Sequence, residues 1–197
     1  MMVGATSTYG PVLIALGGNL EGESGPPEAA ILSAIDEVGR EIGPVTARSL
    51  LYRTPCFPAG AGPDYVNAAI RLEGGGAPEA ILAALHRIEA RHGRARTQRW
   101  GMRTLDLDLL AVGDLVLPDV AGQGAWRALA PDQQQMRAPD ELILPHPRMQ
   151  DRAFVLVPLA DVAADWVHPA LGLSVAEMCA RLPYADRAEV RPLDSVR

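Results

Sequence analysis

The stretch TLDLDLL, Thr104 to Leu110, alternates apolar and acidic residues, with Leu105, Leu107 and Leu109 on one side and Asp106 and Asp108 on the other. That period of two is the signature of a strand with one buried and one polar face. Carboxylates two apart on a strand project to the same side, about 7 Å apart at Cα. They repel unless positive charge lies near. Mg²⁺, which prefers one or two carboxylates plus substrate phosphates and water, meets that demand. Directly upstream, RARTQRWGMR brings Arg94, Arg96, Arg99 and Arg103 together with Trp100 and a turn-permitting Gly101. Guanidinium groups bind phosphate bidentately, so the unit reads as a metal-assisted phosphoryl-transfer site. An Asp-x-Asp strand alone reads equally well as a solvated face with weak ion pairs. The arginines beside it favour site chemistry.

Working outward, Val12 to Leu16 reads as a buried strand ending in the turn Gly17 to Leu20. Pro26 and Pro27 stand where a helix begins, and Ile31, Ile35, Val38 and Ile42 give Ala29 to Ile42 helical spacing. Gly43-Pro44 stops it, a second strand is expected over Val45 to Tyr52, and Thr54 to Pro63 reads as a Pro/Gly-rich loop. Tyr65 to Leu72 reads as a third strand and Pro78 to His92 as a second helix with Ile81, Leu82, Leu85 and Ile88 facing the core. The aspartate strand then runs to Val112, with a short edge strand at Leu115 to Leu117. The order βαββαβ is the ferredoxin-like arrangement of an α+β fold, an antiparallel sheet covered by helices. Pro118 to Asp140 has little periodicity and is expected to be a flexible surface loop. Arg148 to Ala164 and Ser174 to Leu182 read as C-terminal helices, and residues 183–197 as a loose tail.

A chain of 197 residues is expected to form one domain with a sizeable core. Its net charge of −6 argues against a generic nucleic-acid binder. All 18 basic residues are arginine. With no lysine, Walker A, Schiff-base and kinase-type lysine mechanisms are excluded. Cys56 and Cys179 lack metal-ligand spacing and read as free thiols. The apolar run Val12 to Leu16 is too short to span a membrane and has no basic segment before it, so a cytoplasmic location is expected.

Several segments together resemble the 6-hydroxymethyl-7,8-dihydropterin pyrophosphokinase family: GGNLEG (Gly17 to Gly22), YRTP (Tyr52 to Pro55), PDYVNAA (Pro63 to Ala69), RARTQRWGMRTLDLDLL (Arg94 to Leu110) and LPHPRMQDRAFVLVPL (Leu144 to Leu159). The resemblance covers about Val12 to Leu182. It implies transfer of pyrophosphate from ATP to the pterin alcohol, releasing AMP, in folate biosynthesis. Asp106 and Asp108 match the pair that holds two Mg²⁺ ions. Arg94 and Arg103 match catalytic phosphate-binding arginines. ATP contacts are implied for Glu89, Arg94, Arg96, Trp100, Arg103, Leu109, His146 and Arg152. Pterin contacts are implied for Thr54, Pro55, Phe57, Tyr65, Asn67, Trp100 and Phe154. A flat polar heterocycle calls for aromatic stacking and an amide on its edge, which suits Tyr65, Phe154 and Asn67. In isolation, Tyr65 and Phe154 would read as core, and Glu89 as a surface charge. Proton removal from the pterin hydroxyl is open between Asp108 and a metal-bound alkoxide.

Against the family pattern, Gly18 replaces a common serine, Met102 a proline, and Glu141 and Ile143 an arginine and a threonine that some members turn toward the nucleotide. The Pro118 to Asp140 segment is longer than usual and is expected to be a dispensable insertion. Partners are expected to be ATP and the pterin only, with no nucleic acid and no membrane, and the chain a monomer. The competing readings are a ferredoxin-like RNA-binding or regulatory module, a transferase moving one phosphoryl or a nucleotidyl group, and an inactive paralogue.

Overall fold

The computed structural model describes residues 9–56, 62–93, 103–130, 133, 136, 137 and 139–193. The core elements are β1 (Pro11–Gly18), α1 (Pro27–Glu41), β2 (Val45–Arg48), β3 (Tyr52–Thr54), β4 (Tyr65–Glu73), α2 (Pro78–Arg91) and β5 (Asp106–Val112). After them come α3 (Val120–Ala128), a 3-10 turn (Met149–Asp151), α4 (Ala153–Ala163), β6 (Val167–His168) and β7 (Leu173–Ser174). The chain closes with α5 (Val175–Arg181), α6 (Tyr184–Ala188) and β8 (Arg191–Pro192).

The main sheet runs β5-β1-β4-β3-β8, with β2 also on β4, and every pairing is antiparallel. Taking β2 and β3 as one interrupted strand recovers the expected ferredoxin-like order. Alternation along the strands sorts side chains onto two faces. Val12, Ile14 and Leu16 of β1, Val66, Ala68 and Ile70 of β4, and Leu107 and Leu109 of β5 pack against Ile31, Ile35 and Val38 of α1 and Ile81, Leu85 and Ile88 of α2. Leu13, Ala15, Ala69, Leu110 and Ala111 face the other way, against Val155, Leu156, Leu159 and Val162 of α4 and Val175 and Met178 of α5. Each fully buried aliphatic side chain contributes about 1.5–3 kcal/mol. Both α1 and α2 begin with proline at their first turn, where its missing N–H costs nothing.

Several expectations are corrected. The strand expected over Val45 to Tyr52 is broken, because Arg48 pairs with Ile70 and Tyr52 with Asn67, four residues against three. That extra residue is a bulge. It is secured by Ser49 Oγ accepting from Ala69 N at 2.9 Å and by Leu50 N donating to Asp161 Oδ2 at 3.2 Å. The edge strand expected at Leu115 to Leu117 shrinks to one bridge, Leu117 with Leu144. The segment expected to be a structureless loop contains α3, capped by Asp119, whose carboxylate accepts from Gly122 N at 2.7 Å. The C-terminal residues are less loose than expected. There α6 forms, β8 pairs with β3, and Leu193 N donates to Leu51 O at 2.8 Å. No helix among the described residues is long and apolar enough to cross a membrane.

Candidate active site

Cross-strand register sets the site. Gly17 of β1 pairs with Asn67 of β4 on one side and with Asp106 of β5 on the other. Directly opposed residues of a sheet point to the same face, so Asn67 and Asp106 look out together from the α4 side. The next row is Ala69, Ala15 and Asp108. Glycine and alanine between the polar groups leave room above the sheet, and a Cβ on Gly17 would stand 3.0 Å from Asn67 Oδ1. Two strand spacings separate Asn67 from Asp106, about 10 Å, comparable to a small substrate placed beside a nucleotide's phosphates.

At the acidic end, Arg103 makes a salt bridge with Asp106 through Nη1 and Oδ2. Arg152 Nη1 lies 3.9 Å from Asp108 Oδ2, and the Arg152 guanidinium also sits 5.6 Å from the centre of the exposed Phe154 ring. Burial lowers the pKa of Arg152, while Asp108 opposes that shift. His146 follows Pro145 in the run that leads to the 3-10 turn. Its N–H donates to Leu110 O at 2.8 Å, beside the aspartates. Its Nδ1 accepts from Arg148 N at 3.1 Å, so the neutral ring carries its hydrogen on Nε2. Burial, then the charge of Arg152, pushes the His146 pKa down to about 3.

At the other end, Asn67 Nδ2 donates to Thr54 Oγ1 at 2.7 Å, both residues being buried. That bond orients the amide and leaves Oδ1 toward Gly17. Tyr65 pairs with Thr54 across the strands, and its pKa is raised, chiefly by burial, with Cys56 and Asp106 adding to the shift and Arg103 opposing it. Pro55 follows, exposed.

Residues 13–164 match the family described as 7,8-dihydro-6-hydroxymethylpterin-pyrophosphokinase (HPPK). The chain belongs to the HPPK family. It is 37% identical over 167 residues to the 2-amino-4-hydroxy-6-hydroxymethyldihydropteridine pyrophosphokinase of Synechocystis, covering 84% of this chain and 73% of that one. The enzyme of the same name from Pseudomonas aeruginosa is 37% identical over 175 residues, 88% of this chain and 92% of that one. Among solved structures, wild-type Plasmodium falciparum HPPK-DHPS superposes with a TM-score of 0.60 at 13% identity. That likeness concerns the fold; it covers 88% of this chain and 45% of the longer Plasmodium one.

Within this HPPK frame the expected site residues divide. Asp106, Asp108, Arg103, Arg152, His146, Asn67, Thr54 and Tyr65 are gathered by β3, β4, β5 and the approach to α4. Leu109 has its side chain in the core against α1 and α2, on the face away from the aspartates, so any nucleotide contact there falls to its backbone. Glu89 is no surface charge: it is 1% exposed, and its Oε1 accepts from Leu107 N at 2.8 Å, bracing β5 between the two aspartates from the opposite face. Phe57, Arg94, Arg96, Arg99, Trp100 and Met102 lie outside the described residues. Gly18 approaches so closely that a Cβ would meet Thr104 O at 2.6 Å.

One contributor missed from the residues alone is Asn19, 2% exposed. Its Oδ1 accepts from Arg103 N at 2.9 Å, its Nδ2 donates to Pro63 O at 3.1 Å, and its own N–H donates to Arg103 O at 2.9 Å. The GGN turn therefore fixes where Arg103 starts. The available signal was an asparagine directly after two glycines, a turn composition whose side chain needs partners once buried.

Proposed function

We propose that this HPPK-family enzyme carries out its reaction on the α4 face of β1, β4 and β5, with the pterin beside Asn67 and the triphosphate beside Asp106 and Asp108. The activity is pyrophosphokinase activity of folate biosynthesis, with ATP as co-substrate and hydroxymethyldihydropterin as acceptor. The observation that carries the placement is the shared row of Asn67, Gly17 and Asp106.

The hydroxymethyl oxygen attacks the β-phosphorus, the bond to the α-phosphate oxygen breaks, AMP leaves, and the hydroxyl proton is released. Little covalent work falls to protein in such a transfer; positioning and charge stabilisation dominate. Asn67, oriented by Thr54, reads the edge of the ring by donating and accepting, and Tyr65 and Phe154 offer aromatic surface. Arg103 and Arg152 present guanidinium forks to phosphate oxygens. His146, kept neutral, donates from Nε2 without titrating near pH 7.

Asp106 and Asp108 suit Mg²⁺ as hard oxygen donors. Among the described residues they have no third Asp, Glu, His or Cys close enough to complete a protein cage. That is the donor set Mg²⁺ takes when phosphates and water fill its remaining positions. Two ions bound there would offset charge on the attacking and leaving oxygens. The same reading takes the enzyme to work in the cytoplasm as a monomer.

The test is to replace Asp106 or Asp108 with alanine. Turnover should fall at least about 100-fold while pterin binding, followed by calorimetry without nucleotide, survives. Near-normal turnover in either variant would refute the assignment.

A further inference from the structure

We infer that Gln123, in the long segment after β5, is a positioning residue for this active site: it holds the peptide unit that presents His146. The inference rests on the phosphate-binding role given to His146 above. α3 is exposed or half-buried at every other position, and Gln123 is its one buried residue, 0% exposed. A buried primary amide is costly unless hydrogen-bonded, and this one is. Its Nε2 donates to Pro145 O at 3.1 Å, and its Oε1 accepts from Arg127 Nη1 at 3.2 Å. Arg127 thereby fixes which end of the amide faces Pro145, because a flipped amide would set its N–H donors against the guanidinium and its oxygen against the Pro145 carbonyl.

The carbonyl of Pro145 and the N–H of His146 belong to one planar peptide unit. Gln123 holds its oxygen, and Leu110 O accepts its N–H at 2.8 Å. One residue earlier, Leu144 exchanges two backbone bonds with Leu117, at 2.8 and 3.1 Å. Two of these three restraints are backbone pairings that most sequences could supply; the third needs a side chain of Gln123's length and polarity. Without it the buried Pro145 carbonyl loses its donor, the plane is free to rotate about its remaining tether, and the His146 ring moves with it. Displacements near 1 Å are enough to change rates substantially. The segment that looked like a dispensable insertion thus supports the phosphate end of the site.

The experiment compares the wild type with Gln123→Leu and Arg127→Met, reading steady-state constants for ATP, pterin affinity by calorimetry, and the histidine ring resonances in ¹⁵N NMR, with His146 assigned by a His146→Asn variant. The expected result for Gln123→Leu is a KM for ATP raised about tenfold, pterin affinity unchanged, and a displaced His146 resonance. Arg127→Met, on a partly exposed side chain, should give a smaller change of the same kind and carries the test if Gln123→Leu does not fold. A helix that merely adds stability would lower the melting temperature but leave the KM for ATP and the His146 resonance at wild-type values, and that result overturns the inference. Equal losses in ATP and pterin binding overturn it too. If His146 is displaced in the variants but the wild type makes no AMP, the strut stands and the role given to His146 fails.

Discussion

Asn67 and Asp106 point from the same face of the sheet in a single cross-strand row, with only Gly17 between them. A side chain at Gly17 would enter that row 3.0 Å from Asn67 Oδ1 and press on an amide already committed to Thr54 at 2.7 Å. Gly17→Ala should therefore weaken pterin binding roughly tenfold, the scale of one disturbed buried hydrogen bond. ATP affinity should change much less. Calorimetric titration with each ligand separates the two, and an unchanged pterin affinity would show that the ring does not sit beside Asn67.

Glu89 supports the aspartate strand from behind. Its carboxylate accepts from the N–H of Leu107, the residue between Asp106 and Asp108, at 2.8 Å. Glu89→Gln keeps an acceptor there, whereas Glu89→Leu strands a buried donor at a cost of about 1–3 kcal/mol. Denaturant unfolding should place Glu89→Leu below Glu89→Gln by that order, and kcat should fall with it as the strand's spacing loosens. Equal stability of the two variants would remove the brace from the account.

How much of this could be read from residues alone depended on where each signal lay. Alternation in β5 assigned that strand's two faces correctly, because an apolar face against helices and a polar face toward substrate leave a period-two pattern, whereas β1, apolar on both faces, was legible only as a buried strand. α3 left none. Its sequence VAGQGAWRA carries two glycines and turns a single glutamine inward, so there was no apolar stripe to find. The break between β2 and β3 depends on Asp161, far along the chain on α4, and Glu89 looked like a surface charge because its partner is a backbone N–H, invisible in composition. Asn67 and Asp106 were legible as types; that they share a row with Gly17 required the register.

His168, 0% exposed and edge-on to Trp166 at 5.8 Å, should give folding a pH dependence of its own. Burial, then the nearby charge of Arg127, lowers its pKa to about 4. The unfolded chain takes up that proton near pH 6.5, the folded one only near 4, so the unfolded state binds more protons between those values. Stability therefore falls as pH drops from about 6.5 toward 4. His168→Gln should flatten the pH dependence across that window in urea titrations. An identical pH profile in the variant would mean that His168 titrates normally in the fold.

Pyrophosphoryl transfer between ATP and a pterin alcohol on the Asp106 and Asp108 face is decided by the identity of the products. The protein is incubated with ATP, Mg²⁺ and 6-hydroxymethyl-7,8-dihydropterin, and nucleotides and pterins are separated. AMP and a pterin diphosphate should form in equal amounts, and both should be lost on chelation and in Asp108→Ala. ADP with a pterin monophosphate, or free pyrophosphate with an AMP-linked pterin, would contradict pyrophosphoryl transfer.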